Sequence, residues 1–365
     1  MYSFDECVLI WLNSFDGFYS NKQHELLSLY GSPSDLFENL KDSKDVACKV
    51  ISSELFEKLA ASCDSQKIFD VAQRLFEKDI VALTIFSDKY PQKLKEIDVA
   101  PTVLYCKGDI DLLDKTSISI VGSRKCTPYG KKVARYYAKE LVENGFVIIS
   151  GLALGIDETA HRAAIEFDGK TIAVLGAGFN HIYPSSNKSL AEKISRDGLL
   201  VTEFAPDISP QPYHFPMRNR IITGLCDALL IAEAGKKSGT QTTLEHALNQ
   251  GKRIYIVPND IFSLNSSGSN EMLKTLQGAL TTTPKDILED FGISQNVVDV
   301  NKNIQLNIDE AVVVKFLKNQ TAHFNTLLEN TGFSVGELQY ILSALEIKGI
   351  VIRQGGNFYK LTMEV

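Results

Sequence analysis

Residues 117–157, SISIVGSRKCTPYGKKVARYYAKELVENGFVIISGLALGID, contain two short apolar runs separated by a helical pattern, and each run leads into a glycine-containing loop. The runs Ser117–Val121 and Phe146–Ile149 are rich in Ile and Val, as expected of strands that are covered on both faces. The segment 128–144 between them has helical spacing. A strand, a helix and a second strand in this order predict a right-handed βαβ unit with parallel strands.

The same alternation of apolar runs and helical stretches extends over residues 81–290. Six further runs are predicted to be strands: Val81–Phe86, Val103–Cys106, Thr171–Leu175, Leu199–Val201, Ala228–Ile231 and Arg253–Val257. Helices are predicted over 128–144, 156–167, 187–197, 217–226 and 241–250. The alternation predicts the α/β class, with a doubly wound and mostly parallel sheet whose ligand-binding loops follow the carboxyl ends of the strands.

The two ends of the chain have different patterns, which divide it into domains. Residues 1–80 are acidic and have apolar positions at helical spacing, which predicts a small helical accessory domain, SAM-like, without chemistry of its own. Residues 81–290 form the sheet domain, and the polar, Asn-rich residues 291–308 are predicted to be a linker. Residues 309–365 have a winged-helix pattern of three helices and a β-hairpin: Ala311–Leu317, His323–Asn330, Val335–Lys348, Ile350–Arg353 and Phe358–Leu361.

Composition excludes several classes of protein. Of the 365 residues, 44% are hydrophobic and 23% charged, which is typical of a soluble globular chain and not of a disordered one. No stretch approaches the ~18 uninterrupted apolar residues of a membrane helix, so we expect no membrane association. Asp5 and Glu6 precede the first apolar run, where an export signal would carry positive charge. The six scattered cysteines form no C-x-x-C pair, which predicts a cytoplasmic protein with free thiols and no metal site.

The net charge of −7 means that an anionic partner must be bound by a local cationic patch. One segment, residues 115–139, has no acidic residue and seven basic ones: Lys115, Arg124, Lys125, Lys131, Lys132, Arg135 and Lys139. Such a run is also typical of a solvated helix face, so charge alone leaves both interpretations open.

The loop after Ser117–Val121 has the features of an anion site. Gly122 permits a close backbone approach, and Ser123 and Thr127 offer hydroxyl donors. Arg124 adds a planar cation suited to phosphate, and the helix that follows offers free amides. The alternative is a tight strand–helix turn with a solvated arginine.

Four later segments are further candidates for phosphate contact. The loop after Phe146–Ile149 contains Gly151 and Gly155. Asp157, which follows them, is suited to cap the next helix. For a lone histidine such as His161, a structural hydrogen bond is a commoner role than catalysis. The other candidates are Gly176 and Gly178, then Arg218, Asn219 and Arg220 beside Phe215, then Ser238, Gly239 and Thr240. The two arginines are suited to hold a nucleic-acid backbone while Phe215 stacks on a base. The alternative is that the segment is only the start of an amphipathic helix with a proline in its first turn.

Together these loops predict a positively charged rim at one edge of the sheet. Its cations are Arg124, Arg218, Arg220, Lys236 and Lys237. No nucleophile with its base, no metal-ligand cluster and no P-loop lysine stands beside them in the sequence. We therefore predict a phosphate-rich ligand that is held without catalysis, cofactor or metal.

Four sets of residues resemble the DNA-processing protein A family, also called DprA or Smf. They are Gly122-Ser123-Arg124 with Thr127 and Tyr129-Gly130, Ser150-Gly151-x-Ala153-x-Gly155-Ile156-Asp157, Phe215-Pro216-x-Arg218-Asn219-Arg220-Ile221-Ile222, and Glu233-Ala234 with Ser238-Gly239-Thr240. Their order and spacing agree with the family over about 88–280. The chain departs from the family pattern at Ala100, Cys226 and Asn259, where Pro, Ser and Gly are usual.

The resemblance implies an extended Rossmann fold that binds single-stranded DNA, forms a homodimer through this domain, and has no enzyme activity. It also implies interaction with the recombinase RecA, whose loading onto incoming single strands the family assists during natural transformation. Arg124, and Lys170 at the start of Thr171–Leu175, match positions that the family uses to hold DNA. Arg218 and Arg220 belong to the family signature.

Two other functions compete with this interpretation. Nucleotide phosphoribohydrolases of the same superfamily need Gly-Gly-x-Gly-Thr-x-x-Glu, and here Thr243 stands at the Glu position, with Glu245 two residues later. A duplex-DNA regulator would read base sequence through the helix at 335–348, which has few basic residues. A structural or protein-binding role is therefore the favoured prediction for the winged helix.

Overall fold

A nine-stranded sheet is the centre of the computed structural model, which describes residues 2–236, 238–263, 267–293, 306–318, 320–348 and 350–361. Its strands are β1 (Val81–Thr84), β2 (Val103–Gly108), β3 (Ser117–Gly122), β4 (Val147–Ser150), β5 (Thr171–Val174), β6 (Leu199–Thr202), β7 (Ala228–Glu233), β8 (Arg253–Ile256) and β9 (Ala279–Leu280). Their spatial order is β1-β2-β6-β5-β4-β3-β7-β8-β9. The pairings among β3 to β9 are parallel, and β2 runs antiparallel to both β1 and β6. The predicted α/β class with a mostly parallel sheet is confirmed.

The strand boundaries agree closely with those predicted from apolar runs. Each of the eight predicted strands is present, and its ends lie within two residues of the predicted ends. Strand β9 was missed, because it has two residues, both exposed, and so shows no periodic pattern.

Helices precede and connect the strands of this sheet. They are α1 (Phe4–Asn13), α2 (Ser20–Tyr30), α3 (Pro33–Asn39), α4 (Lys44–Ala47), α5 (Ser53–Ser62), α6 (Ser65–Phe76), α7 (Gln92–Lys95), α8 (Pro128–Glu143), α9 (Ile156–Glu166), α10 (Lys188–Asp197), α11 (His214–Leu225), α12 (Thr240–Asn249), α13 (Ser267–Lys274) and α14 (Pro284–Asp290). The five helices predicted between strands correspond to α8 to α12. Short 3-10 turns lie at Leu40–Asp42, Ile110–Asp114 and Ser185–Asn187.

Alternate residues of the central strands pack against helices on opposite faces of the sheet. On one face, Ile118, Ile148 and Leu230 form a core with α8 and α9. On the other face, Ile149 and Leu229 form a core with α11 and α12. Burial on both faces explains why these strands are continuously apolar in the sequence.

The order of the strands reverses between β3 and β7. From β3 the chain continues outward through β4, β5 and β6, and then returns to build β7, β8 and β9 on the other side of β3. The loops that leave β3 and β7 therefore diverge, which opens a crevice at the carboxyl ends of these two strands.

Helices α1 to α6 pack on the antiparallel end of the sheet. Their core contains Trp11 and Leu36 together with Ala82 of β1 and Tyr105 of β2. Ser3 and Glu6 form a capping box that begins α1. The domain boundary predicted at residue 80 falls between α6 and β1, and the residues on its two sides share one hydrophobic core.

Residues 294–365 form a compact unit separate from residues 1–293. Its elements are α15 (Ile308–Leu317), β10 (Ala322–His323), α16 (Phe324–Thr331), α17 (Val335–Ile347), β11 (Val351–Gln354) and β12 (Phe358–Leu361), with the antiparallel strand order β10-β12-β11. Ser334 caps α17 by accepting the Glu337 N–H. The predicted three helices and hairpin are confirmed as a winged helix. Most of the predicted linker, residues 294–305, lies outside the described residues.

The described residues give three findings on membranes, thiols and metals. None of their helices combines the length and the apolar character needed to cross a bilayer. The six cysteines are all free thiols. Within the same described ranges, no group of three or more His, Cys, Asp or Glu side chains could hold a metal ion.

Candidate functional site

A cavity of about 910 Å³ lies at the point where the strand order reverses. Its described lining comes from the loops after β3, β4 and β7, from the helices α9, α11 and α12 that follow loops at this edge, from Ser267 at the start of α13, and from Tyr183 in the loop between β5 and α10. The charged residues among this lining are four cations and one carboxylate: Arg124, Lys125, Arg218, Lys236 and Asp157. The cavity is therefore suited to an anionic ligand.

The loop after β3 brings a cation to the mouth of the cavity. Gly122 is required there, because a Cβ would lie 2.6 Å from the Glu233 carbonyl oxygen. The Ser123 N–H donates to that same oxygen (2.8 Å), which joins the loop to the end of β7. Arg124 follows, is exposed, and forms no ion pair with any carboxylate in the described part of the chain. Its charge is consequently available to a ligand.

Two aromatic rings stand beside Arg124. The guanidinium carbon of Arg124 lies 5.4 Å from the centroid of the Phe215 ring, a cation–π contact. The ring of Tyr183 lies 5.3 Å from Phe215 and is 52% exposed. Gly176 makes room for Phe215, since a Cβ would lie 2.8 Å from that ring. These rings form a surface on which a planar group can stack.

Arg218 is buried in the floor of the cavity and holds two strand ends together. Its Nη1 donates to the Gly151 carbonyl (2.7 Å) and to the Val174 carbonyl. Burial lowers the pKa of the Arg218 guanidinium to about 10, while Asp157 opposes that shift and the charge of Arg124 adds to it. The group stays protonated near neutral pH. Its Nε–H has no hydrogen-bond partner among the described residues.

Buried side chains fix the loop after β4. The Gly151 N–H donates to Asp157 (3.1 Å). Burial raises the pKa of the Asp157 carboxyl, and the Arg218 charge offsets only part of that rise. The Leu152 N–H donates to His161 Nε2 (3.4 Å). His161 Nδ1 lies 2.7 Å from the Thr171 hydroxyl, which itself donates to the Ile148 carbonyl. These partners assign the proton of a neutral imidazole to Nδ1.

Burial, together with the nearby Arg218 charge, lowers the pKa of His161 to about 3. The histidine is neutral in the folded protein and makes a structural hydrogen bond, which was the commoner role expected for it.

Gly155 brings the loops after β3 and β4 together. It has φ +84°, a conformation that favours glycine. A Cβ at this position would lie 2.4 Å from the Ser123 carbonyl oxygen. The requirement for glycine at this position therefore comes from contact between the two loops.

The loop after β7 supplies hydroxyl groups and amides at the start of α12. Ser238 and Thr240 have hydroxyl oxygens 2.8 Å apart, and the Thr240 N–H donates to the Ser238 hydroxyl (3.2 Å). A Cβ on Gly239 would meet no atom within 4 Å. Ser238, Gly239 and Thr240 therefore line the cavity as predicted from their place after a strand, and Asn219 of α11 also lines it.

Several predicted site residues lie elsewhere. Arg220 was expected on the exposed rim, but it is buried in a bidentate ion pair with Glu203 (2.6 and 2.7 Å) and donates to the Val99 carbonyl (3.0 Å). Lys170 is exposed at the amino end of β5, the opposite edge of the sheet from Arg124, and donates to the Asp197 carbonyl (2.9 Å). The expectation that Arg220 belongs to the exposed rim is therefore wrong. Lys170, which the family resemblance implies as a DNA contact, lies at a different edge of the sheet from the cavity.

Thr127 and Gly178 have structural contacts instead of cavity positions. The Thr127 N–H and hydroxyl both donate to the buried carboxylate of Glu233, and its Oγ1 accepts the Gly130 N–H as the cap of α8. Gly178 is buried, and a Cβ there would lie 2.1 Å from the Ala205 carbonyl oxygen. Lys237 lies outside the described residues.

Sequence reasoning did not include Tyr183 or Phe215 among its site residues. Both are aromatic residues in loops or first turns after strands, and both line the cavity. Phe215 was considered for base stacking because of the arginines that follow it. The residues around Tyr183 in the sequence gave no indication of base stacking. Tyr183 is brought next to Phe215 only in the folded structure.

Two family models match the chain. The model described as DNA recombination-mediator protein A matches residues 81–292, and the model described as DprA winged helix domain matches residues 302–357. The first model covers the sheet with its cavity.

Curated relatives and solved structures agree with these matches. The DNA processing protein DprA of Bacillus subtilis is 42% identical over 59% of this chain and 72% of its own length. Protein Smf of Escherichia coli is 35% identical over 75% of this chain and 76% of its own length. The X-ray structure of DprA from Streptococcus pneumoniae has a TM-score of 0.64 at 32% identity and covers 79% of this chain and 98% of its own.

A further solved structure is of DNA processing protein A from Helicobacter pylori, reported with its single-stranded DNA binding mode. It has a TM-score of 0.53 at 30% identity, and the match covers 58% of this chain and 95% of the other.

The ion pair of Arg220 with Glu203 gives a test of its structural role. Replacing Arg220→Ala should lower the free energy of unfolding by about 3–5 kcal/mol, because a buried carboxylate loses its partner. Arg124→Ala, at an exposed position, should change it by less than about 0.5 kcal/mol. Denaturant titration followed by circular dichroism measures both. Equal stabilities for the two variants would contradict the assignment.

Because His161 is held neutral in the folded protein, we predict that the free energy of unfolding falls in acid. The pKa of this histidine is near 6.5 in the unfolded chain and about 3 when folded, so its contribution is complete above pH 6.5 and declines as the pH falls toward 3. The decline is about 1.4 kcal/mol per pH unit within that window. His161→Gln removes this titration, so the stability gap between wild type and variant should narrow from about pH 6.5 to about pH 4. A gap that stays constant in urea titrations would show that His161 is not held neutral.

Proposed function

The chain belongs to the DNA recombination-mediator protein A family, and from that premise we propose that its cavity binds single-stranded DNA without catalysing a reaction. The Helicobacter pylori relative, for which a single-stranded DNA binding mode is described, supports the proposal from outside the chain. The support from within the chain is the chemistry of the cavity lining. An unpaired strand presents phosphates and exposed bases, and it is bound by cations and aromatic rings together.

The observation that carries the proposal is the contact between Arg124 and Phe215. A charged guanidinium without a carboxylate partner in the described chain stands 5.4 Å from an aromatic ring at the cavity mouth. The cation is suited to a phosphate, and Phe215 with Tyr183 is suited to a base. Duplex DNA keeps its bases stacked inside, so the aromatic surface favours the unpaired form.

Further donors surround this pair. Ser123, Asn219 and the hydroxyls of Ser238 and Thr240 line the same cavity, next to the first amides of α12. Backbone amides and hydroxyls bind phosphate oxygens but do not distinguish bases. We therefore expect binding with little sequence preference.

Lys170 belongs to the proposal as a second, separate contact. Its exposed ammonium lies at the amino end of β5, so it reaches only a strand that continues around the sheet from the cavity. Gly151, Gly155, Gly176 and Gly178 act by permitting the close packing of loops rather than by touching DNA.

We extend the proposal to the biological role that the family resemblance implies. The protein would form a homodimer through the sheet domain in the cytoplasm, bind incoming single strands during natural transformation and help to load RecA onto them. The description of the family as a recombination mediator supports this extension.

The absence of catalysis is supported by the loop after β7. Thr243, which stands where a phosphoribohydrolase needs Glu, lines the cavity, and Glu245 is exposed and is not among the described lining residues. In the winged helix, the described exposed side chains of α17 include Val335, Glu337 and Tyr340 but no basic residue. This composition supports a role for the winged helix other than contact with duplex DNA.

The direct test compares binding of labelled oligo-dT with binding of duplex DNA at two salt concentrations, by fluorescence anisotropy. We expect tighter binding of oligo-dT, weakening as salt rises. Arg124→Ala should weaken oligo-dT binding roughly tenfold, because it removes a charged hydrogen-bond donor. It should also make the plot of log affinity against log salt shallower by about 0.7 per lost phosphate contact.

Arg74→Ala is the matched control, since Arg74 is an exposed arginine on α6 and is not among the described lining residues of the cavity. Lys170→Ala should also weaken binding if the strand continues to the opposite edge. Wild-type isotherms for both Arg124→Ala and Lys170→Ala would refute the proposal.

Incubation with nucleoside monophosphates tests the alternative function. We expect no free base above the level given by a Glu245→Ala variant. Turnover that this substitution abolishes would favour the phosphoribohydrolase interpretation instead.

A further inference from the structure

Two tyrosines from distant parts of the chain meet beside the cavity mouth. Tyr213 directly follows Pro212, which lines the cavity, and directly precedes α11. Tyr19 directly precedes α2 in the N-terminal helices. Their ring centroids are 6.3 Å apart, with an angle of 60° between the ring planes. We call this pair, Tyr19 and Tyr213, the tyrosine ledge.

Hydrogen bonds hold the ledge in place. The Tyr19 hydroxyl lies 2.9 Å from His214 Nε2, 3.3 Å from the Tyr213 hydroxyl and 3.0 Å from Asp16 Oδ1. His214 is buried and stacks on Phe204 at 4.1 Å between ring centroids. The polar end of Tyr19 is thus fixed by a partner that is itself locked in the core.

The N-terminal helices that contribute Tyr19 are firmly docked. Ser20 donates to Glu203 (3.2 Å), the partner of Arg220, and His24 Nε2 lies 2.7 Å from the Ala100 carbonyl. These contacts join the start of α2 to the same ion pair that fixes α11. The ledge and the cavity helix therefore belong to one rigid arrangement.

Despite these bonds, Tyr213 is open to solvent, while Tyr19, the other ring of the ledge, is partly buried. The side chain of Tyr213 is 52% exposed, the same fraction as Tyr183 at the cavity mouth. An aromatic ring that is immobilised yet exposed loses little conformational freedom when a planar group stacks on it. Phe215 and Tyr183 provide such rings inside the cavity mouth, and Tyr213 lies two residues before Phe215.

We propose that the tyrosine ledge continues the path of single-stranded DNA out of the cavity by stacking its unpaired bases. This inference rests on the proposed function and gives the N-terminal helices a direct part in DNA binding. The occupant is the same strand that fills the cavity, because Tyr213 is joined to the cavity lining through Pro212. The Tyr19 hydroxyl bonds to Asp16 and His214, and the Tyr213 hydroxyl lies 3.3 Å from that of Tyr19, so the contribution of the ledge to strand binding comes from ring faces.

Ring stacking and phosphate contact differ in their response to salt. Removal of a phosphate contact reduces the salt dependence of binding, whereas removal of a stacking ring lowers affinity at every salt concentration. Salt dependence therefore distinguishes a variant of Tyr213, which loses a stacking ring, from a variant of Arg124, which loses a phosphate contact.

The experiment measures binding of two oligo-dT lengths to the full chain by anisotropy. The shorter has about 4 nucleotides and fills the cavity, and the longer has about 16 and extends beyond it. Tyr213→Leu should weaken binding of the longer oligonucleotide roughly tenfold, leave the shorter within about twofold, and leave the salt slope of both unchanged. Tyr213→Phe, which keeps the ring, should bind the longer one nearly as wild type does. Tyr136→Leu is the control, at an exposed tyrosine of α8 that does not line the cavity.

Photocrosslinking of the wild-type chain gives a second readout that does not depend on a variant folding. A long oligo-dT that carries 5-iododeoxyuridine outside the cavity segment should crosslink to a peptide containing Tyr213 or Tyr19. Wild-type affinity of Tyr213→Leu for the longer oligonucleotide, with no such crosslink and with Arg124→Ala still impaired, would overturn the ledge and leave the proposed function standing. Failure of the wild-type chain to bind either oligonucleotide would reject both.

Discussion

The buried carboxylate of Glu233 is the constraint on which the arrangement at the reversal of the sheet depends. Its side chain accepts hydrogen bonds from the Thr127 backbone and hydroxyl, and its carbonyl accepts the Ser123 N–H. A carboxylate without solvent contact is tolerated only when such bonds replace its hydration. Glu233 therefore fixes where the loop after β3 ends and where α8 begins. Arg124 lies between these two anchors, so it is presented at the cavity mouth by the backbone rather than by its own contacts.

The three arginines near the cavity illustrate how burial decides the use of a charge. The charge of Arg220 is neutralised by Glu203 inside the protein, and Arg218 donates hydrogen bonds to carbonyl groups at the ends of two strands. Both stabilise the positions of other groups. Arg124 alone of the three is exposed, and its neighbour is an aromatic ring instead of a carboxylate. We expect a phosphate to be attracted by the charges of Arg218 and Arg124 and to be contacted first by Arg124.

Local patterns in the sequence were enough to predict the fold. The central strands are apolar on both faces, and the helices between them have apolar residues at helical spacing. These patterns also placed the loops after β3 and β7 at a common site, since parallel strands end at one edge. They were insufficient for Arg220, whose partner Glu203 lies 17 residues away in another element and leaves no mark on helical spacing. Lys170 directly precedes β5, and this position in the sequence already assigns it to the opposite edge of the sheet from the loops that follow β3 and β7. Tyr183 and the ledge depend on contacts between segments that are remote in the chain, which no local pattern records.

The two outermost strands of the large sheet are short or covered. On one side β1 has four residues and is covered by α1 and α6, and on the other side β9 has two. Open rows of backbone amides and carbonyls are templates on which sheets from different molecules join, and parallel sheets of this type assemble slowly. Short or covered margins offer little such template. The strands of this sheet are rich in Ile, Val, Leu and Ala, and its short or covered outer strands limit the tendency of such an apolar sheet to aggregate.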